Sequence, residues 1–116
     1  MNCLHEDSPE GVRVIRLIGR MDIQGAEQIS LKFTALCAGT APILVNLSEL
    51  DFIGSLGIGT LVAAARSVHQ RKGQFVLFGA KADVMTALNR TNVPTIIPTR
   101  ATWAEARALI AAPAGS

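Results

Sequence analysis

Aromatic residues are scarce in this chain of 116 residues: there is no tyrosine, one tryptophan and four phenylalanines. A core must therefore be aliphatic, built from Val, Ile, Leu and Ala, with Phe33, Phe52, Phe75, Phe78 and Trp103 as its few large pieces. Charge is sparse too, at 17%, against 49% hydrophobic residues and a mean hydropathy of +0.34. That balance excludes a disordered chain, because enough apolar surface is available to offset the entropy of ordering. The length suits one domain.

Basic and acidic residues nearly cancel, leaving a net charge of +2. So small a margin makes no strong field, and the basic stripe with interleaved aromatics that nucleic acid binding requires is missing. The densest basic run, Arg66, Arg71 and Lys72 with His69 between, reads as the solvated C-terminal end of a helix, where cations suit the dipole. The two cysteines, Cys3 and Cys37, form neither a CxxC nor a zinc set. A single disulfide between them stays open at this point, although two thiols in a reducing compartment fit better. His5 and His69 show no metal-ligand spacing, and no metal or cofactor is expected. Met1 to Glu10 is polar and acidic, unlike a signal peptide. The uncharged stretch from Phe52 to Ala65 falls short of the ~20 residues that span a bilayer. The expectation is a soluble, cytoplasmic protein with no membrane or nucleic acid partner.

Hydrophobic periodicity then gives the elements. Val12 to Ile18 is apolar on both faces, as in a central strand, and Gly19 closes it. Asn2 to His5 can pair with it through the turn-rich Asp7 to Gly11. Ala26, Ile29, Phe33 and Leu36 mark a helix from Gln24 to about Ala38, with Gly39 placed to end it. Ile43 to Leu47 reads as a buried strand and Ser55 to Gln70 as the best helix, followed by a strand over Gln74 to Phe78. Lys81 to Arg90 reads as a short helix, Thr95 to Ile97 as a last strand, and Thr102 to Ala112 as a helix opened by a Thr102/Glu105 capping box. Strands separated by helices imply parallel pairing through right-handed crossovers. The fold class is α/β: a mixed, mostly parallel sheet packed with about four helices, one domain over 1–112, and a disordered tail over 113–116. In such folds function sits beyond the carboxyl ends of the strands, which selects Gly19 to Gln24 and Asp51 to Gly57.

The second of these loops leads into Gly54-Ser55-Leu56-Gly57-Ile58-Gly59. A nucleotide-binding phosphate loop would need a Lys after the glycines, and the dinucleotide pattern would need Gly or Ala where Val62 stands. A serine hydrolase elbow would need Gly where Ile53 stands. It would also need a base, yet His69 lies about 21 Å down the same helix. A purely structural account makes Ser55 an N-cap. It leaves unexplained why two glycines occupy helical positions, where each costs ~1 kcal/mol against alanine. The remaining reading is a docking surface whose exposed Ser55 takes a phosphate, adding about −1.5 to −2 charges and repelling the partner.

Two segments resemble the STAS family, specifically the bacterial anti-sigma factor antagonists. Gly19-Arg20-Met21-Asp22 before a helix is similar to that family's Gly-x-Leu/Met-Asp turn. The run from Leu47 to Gly59 is similar to its strand-loop-helix with an Asp-Ser-Ser/Thr-Gly core. The resemblance covers Val12 to about Ile110. It implies a non-enzymatic protein that binds an anti-sigma factor which is also a serine kinase, and so frees a sigma factor. Phosphorylation of the first core serine, here Ser55, ends the binding, and a phosphatase restores it. The contact surface it implies comprises Asp22, Gly54, Ser55, Leu56, Gly57 and Ile58, with Ile23 at its margin. Asp22 can serve both as a helix cap and as a contact, since a carboxylate has four lone-pair sites. The sequence departs from the family at Gly54, where an Asp is usual, and at Leu56, where a second hydroxyl is usual. The alternative is a constitutive, unphosphorylated STAS module in a larger assembly, such as a transporter accessory complex. The edge strand Asn2 to His5 is compatible with either a monomer or a weak dimer.

Overall fold

A computed structural model describes residues 1–110. The expected tail over 113–116, and positions 111 and 112 of the expected last helix, lie outside the described residues. The chain begins with a hairpin of β1 (Asn2–Asp7) and β2 (Arg13–Met21). It continues through α1 (Ile23–Leu36), β3 (Ile43–Asn46), β4 (Leu50–Ile53) and α2 (Ser55–Gln70). It ends with β5 (Phe75–Phe78), α3 (Ala82–Arg90), α4 (Val93–Ile96), β6 (Thr99–Arg100) and α5 (Trp103–Ile110).

The sheet runs β1-β2-β3-β5-β6, with β4 also paired to β2. Among the described residues only β1 is antiparallel; β2, β3, β5 and β6 run parallel, as does β4 beside β2. Alternation along the central strands divides the interior in two. Ile43, Val45, Phe75 and Leu77 face a large core against α1, α2 and α3, filled by Ile29, Phe33, Leu61, Ala65, Val68, Val84 and Leu88. Leu44, Val76 and Phe78 face the other way, under Ala106 and Ile110 of α5. Coverage of both faces is why β3 and β5 read as unbroken apolar runs rather than alternating ones.

Three expectations are corrected. Gly19 does not close β2; it lets the strand change partners. Its φ of +111° is open to glycine without strain. The pairing with β4 shifts register between Gly19 and Arg20, carrying β2 on to Met21. The short strand β4 is the second: its burial does not alternate, since Asp51 and Phe52 are both exposed, so periodicity gave no signal. The third is Thr95 to Ile97, which is not a strand. Asn92 turns the backbone left-handed at φ 57°, and Pro94 suits the first turn of α4. Val93 and Ile97, four residues apart, are both fully buried on the same side. The last strand is only Thr99–Arg100.

The basic run at the end of α2 does more than sit in solvent. Arg71 donates from Nη2 to the Cys37 carbonyl at 2.6 Å and from Nε to the Gly39 carbonyl at 3.2 Å. Arg13 donates to the Leu36 carbonyl at 2.9 Å. Two guanidinium groups thus satisfy the carbonyls left free at the end of α1. At α5, Thr102 Oγ1 accepts from the Glu105 N–H at 3.2 Å and donates to its carboxylate at 3.0 Å. Cys3 and Cys37 are free thiols buried in the large core. Burial raises both thiols above the usual range, Cys37 to about 12, so neither is a thiolate at neutral pH.

Candidate docking surface at the α2 N-terminus

The site follows from one parallel pairing. Because β4 lies beside the end of β2, Met21 stands opposite Ile53, and the Gly54 N–H donates to the Met21 carbonyl at 3.0 Å. The two strands therefore end together, and α1 and α2 start side by side. Asp22 caps α1, its Oδ1 accepting from the Gly25 N–H at 2.8 Å. Gly54 occupies the same position before α2 and offers no side chain, and the first turn of α2 holds no acid. The N–H groups at the head of α2 are left for solvent or for an incoming group.

Ser55 is the first residue of α2 and is exposed. Leu56 beside it is 47% exposed, and Ile23, at the head of α1, is 67% exposed. The structure thus brings together Asp22, Ile23, Gly54, Ser55 and Leu56. It turns the other two expected contact residues inward: Gly57 is buried, and Ile58 packs half-buried against the core. No imidazole stands beside Ser55, for His69 is at the far end of α2 and His5 is on β1. Among the described residues no group of three or more His, Cys, Asp or Glu could hold a metal, and no helix is long and apolar enough to cross a membrane.

The glycines of α2 have different reasons for being glycine. A Cβ on Gly57 would come within 2.8 Å of Met21 Cγ and 3.0 Å of both Ile53 Cγ1 and the Met21 carbonyl. Glycine there lets α2 sit directly on the ends of β2 and β4. Gly59 has nothing within 4 Å of a Cβ position and faces the groove between α1 and α2. That groove has a volume of about 440 Å³, with Leu56 at one end and Arg71 at the other. With no packing reason for glycine, Gly59→Ala should stabilise the fold by about 0.5–1 kcal/mol, read as a rise in the urea midpoint at unchanged m-value.

Two residues of this neighbourhood went unrecognised in the sequence. Arg20 and Phe52 are paired across β2 and β4, and the Arg20 guanidinium stacks 4.5 Å from the centre of the Phe52 ring. The edge of that ring lies 3.4 Å from where a Cβ on Gly54 would be. Only recognition of β4 as a strand would have placed them opposite each other. Arg20 Nε also lies 4.0 Å from Asp22 Oδ2, and nearby Asp51 pairs with Lys81 and Glu49 with Arg16.

A family model described as the STAS domain matches residues 7–106, and the chain belongs to that family. Among curated proteins it is 26% identical over 93 residues to the "Putative anti-sigma factor antagonist BtrV" of Bordetella bronchiseptica, covering 79% of this chain and 80% of that one. An anti-sigma factor antagonist from Mycobacterium paratuberculosis has the same fold at a TM-score of 0.85 and 23% identity, over 95% of this chain and 93% of that one. The anti-sigma factor antagonist SpoIIAA in its unphosphorylated form superposes at a TM-score of 0.77 and 24% identity, over 97% of this chain and 98% of that one. The Bacillus cell fate determinant SpoIIAA has also been solved phosphorylated, and that form superposes at 0.69 with 24% identity, over 94% of this chain and 99% of that one.

Proposed function

We propose that this chain is an anti-sigma factor antagonist that acts in the cytoplasm by reversible binding, with Ser55 as its phosphate-accepting switch. The observation that carries the reading is the exposed Ser55 at the uncapped head of α2, flanked by the exposed Leu56 and Ile23. The partner is an anti-sigma factor with serine kinase activity. It docks on Asp22, Ile23, Gly54, Ser55 and Leu56, while Gly57 and Ile58 hold that surface in place from below. In the modification step the Ser55 Oγ attacks the terminal phosphorus of ATP. An O–P bond forms, the bond to ADP breaks, and the hydroxyl proton passes to a base of the kinase. A phosphatase hydrolyses the ester and returns the surface to its binding state.

The physics of the switch needs no rearrangement of the fold. A phosphate at a helix N-terminus is favoured by the dipole, so the modified chain keeps its structure. The cost falls on the complex, where a bulky group carrying about −1.5 to −2 charges would have to be desolvated against an apolar partner surface. Apolar contact supplies the affinity, and a few residues carry most of it at such interfaces. Leu56→Ala is expected to weaken binding by about tenfold or more, measured by calorimetry against the captured partner; an unchanged Kd would remove Leu56 from the contact.

The test is affinity capture with this chain from its native cells. Recovery of an ATP-binding, sigma-factor-associated kinase by the wild-type chain, and its loss with Ser55→Asp, is the expected result. Equal recovery of a transporter or scaffold by both chains would instead mark a constitutive module.

A further inference from the structure

We propose that Arg20 is the residue that holds the phosphate on Ser55, an inference that rests on the phosphorylation proposed above. Three observations carry it. Arg20 is fixed in place by stacking on Phe52, at 4.5 Å, and the Phe52 ring edge reaches to 3.4 Å from the Gly54 Cβ position. The guanidinium thereby lies on the same ring that the Gly54 Cβ position meets, one residue before Ser55. Second, among the described residues Arg20 makes no side-chain hydrogen bond and only a long ion pair. Its acidic neighbour is Asp22, whose Oδ2 lies 4.0 Å from Arg20 Nε, beyond hydrogen-bond distance, while Oδ1 caps α1. With its side chain 63% exposed, the guanidinium keeps most of its donors free. Third, two neighbouring cations are held at close range by carboxylates, Lys81 by Asp51 and Arg16 by Glu49, whereas Arg20 has no carboxylate of the described residues closer than 4.0 Å.

Gly54 acquires a reason in this arrangement. A side chain there would start against the Phe52 ring on which Arg20 lies. An acid at this position would compete for the guanidinium and repel the phosphate. Glycine leaves the guanidinium available, and its planar fork suits two phosphate oxygens at once. The modified surface then presents a closed Arg20–phosphate pair, and the partner finds the head of α2 already occupied.

The experiment uses the full chain with phosphoserine genetically encoded at Ser55, so that no kinase is required. Phosphorus NMR follows the second ionisation of the phosphate, ordinarily near pH 6. With Arg20 present, the titration should lie below that value, because a nearby cation favours the dianion. Arg20→Gln should raise it by about half a unit, and Arg20→Lys should keep most of the lowering. A structural role alone would not move this titration, and Arg20 is exposed enough for both variants to fold. Identical titrations with and without Arg20 would overturn the inference while leaving phosphorylation of Ser55 standing. Absence of phosphate in cells would defeat the functional reading while leaving the measured coupling intact.

Discussion

Gly25→Ala is expected to lower stability by about 3 kcal/mol, the upper end of the usual cost of overpacking. A Cβ at that position would lie 2.0 Å from the Arg20 carbonyl oxygen and 3.3 Å from Asp22 Oδ1. The first neighbour is backbone within β2, which has no rotamer to change. Relief requires lifting the first turn of α1 away from the strand, and that breaks the Asp22 cap, itself worth about 1 kcal/mol. The effect should appear as a lowered urea midpoint, opposite in sign to that of Gly59→Ala. The two glycine substitutions thus serve as internal controls for each other, one against backbone and one facing open space. A loss below about 0.5 kcal/mol would mean that α1 does not start where the structure puts it.

Ser55→Asp should reduce affinity for the proposed partner about a hundredfold or more, since desolvating a carboxylate against an apolar partner surface costs about 3 kcal/mol. The same substitution should leave the isolated chain as stable as before, or slightly more so, because an acid in the first turn of a helix is favoured by up to about 1 kcal/mol. Ser55→Ala should bind within a few-fold of the wild-type chain. Loss of affinity together with loss of stability would point to a damaged fold rather than to a switch. Calorimetric titration beside a denaturation curve separates the two.

How much of this was legible in the sequence depended on periodicity. α2 was readable at full length, Ser55 to Gln70, because Leu61, Ala65 and Val68 recur on one face and Gly73 follows shortly after. The hairpin of β1 and β2 was readable from the turn residues between them. β4 was not, because four residues with two adjacent exposed side chains carry no period. Missing β4 hid the feature that builds the site: the change of partner at Gly19, by which Met21 comes to face Ile53 and both helices start at one edge. Ser55, Asp22 and Leu56 were singled out regardless, through the glycines around them and the family resemblance, and the structure places them at that edge. Arg20 and Phe52 were not, because their relation is a cross-strand pair between segments some thirty residues apart. Thr95 to Ile97 misled for a different reason. A β-branched triplet has strand propensity, but Val93 and Ile97 are held in the core at helical spacing, and tertiary packing overrode the local preference.

The expected contact residues also separate by cause. Gly57 carries the motif's spacing yet lies under the surface, where its missing Cβ lets the helix rest on Met21 and Ile53. Leu56 stands where a second hydroxyl is usual and is exposed, which makes this surface more apolar than a two-hydroxyl turn. A partner matched to it should present an apolar pocket near Ser55 rather than a hydrogen-bonding one.

The measurement that tests the central claim most directly is intact mass of the chain recovered from its native cells, with site mapping of any species heavier by about 80 Da, the mass of one phosphate. The account predicts that this species carries its phosphate on Ser55, is absent from a Ser55→Ala chain, and is missing from the fraction bound to the kinase partner. Phosphate on another residue, or a phosphorylated Ser55 found in the partner complex as readily as the unmodified chain, would contradict it.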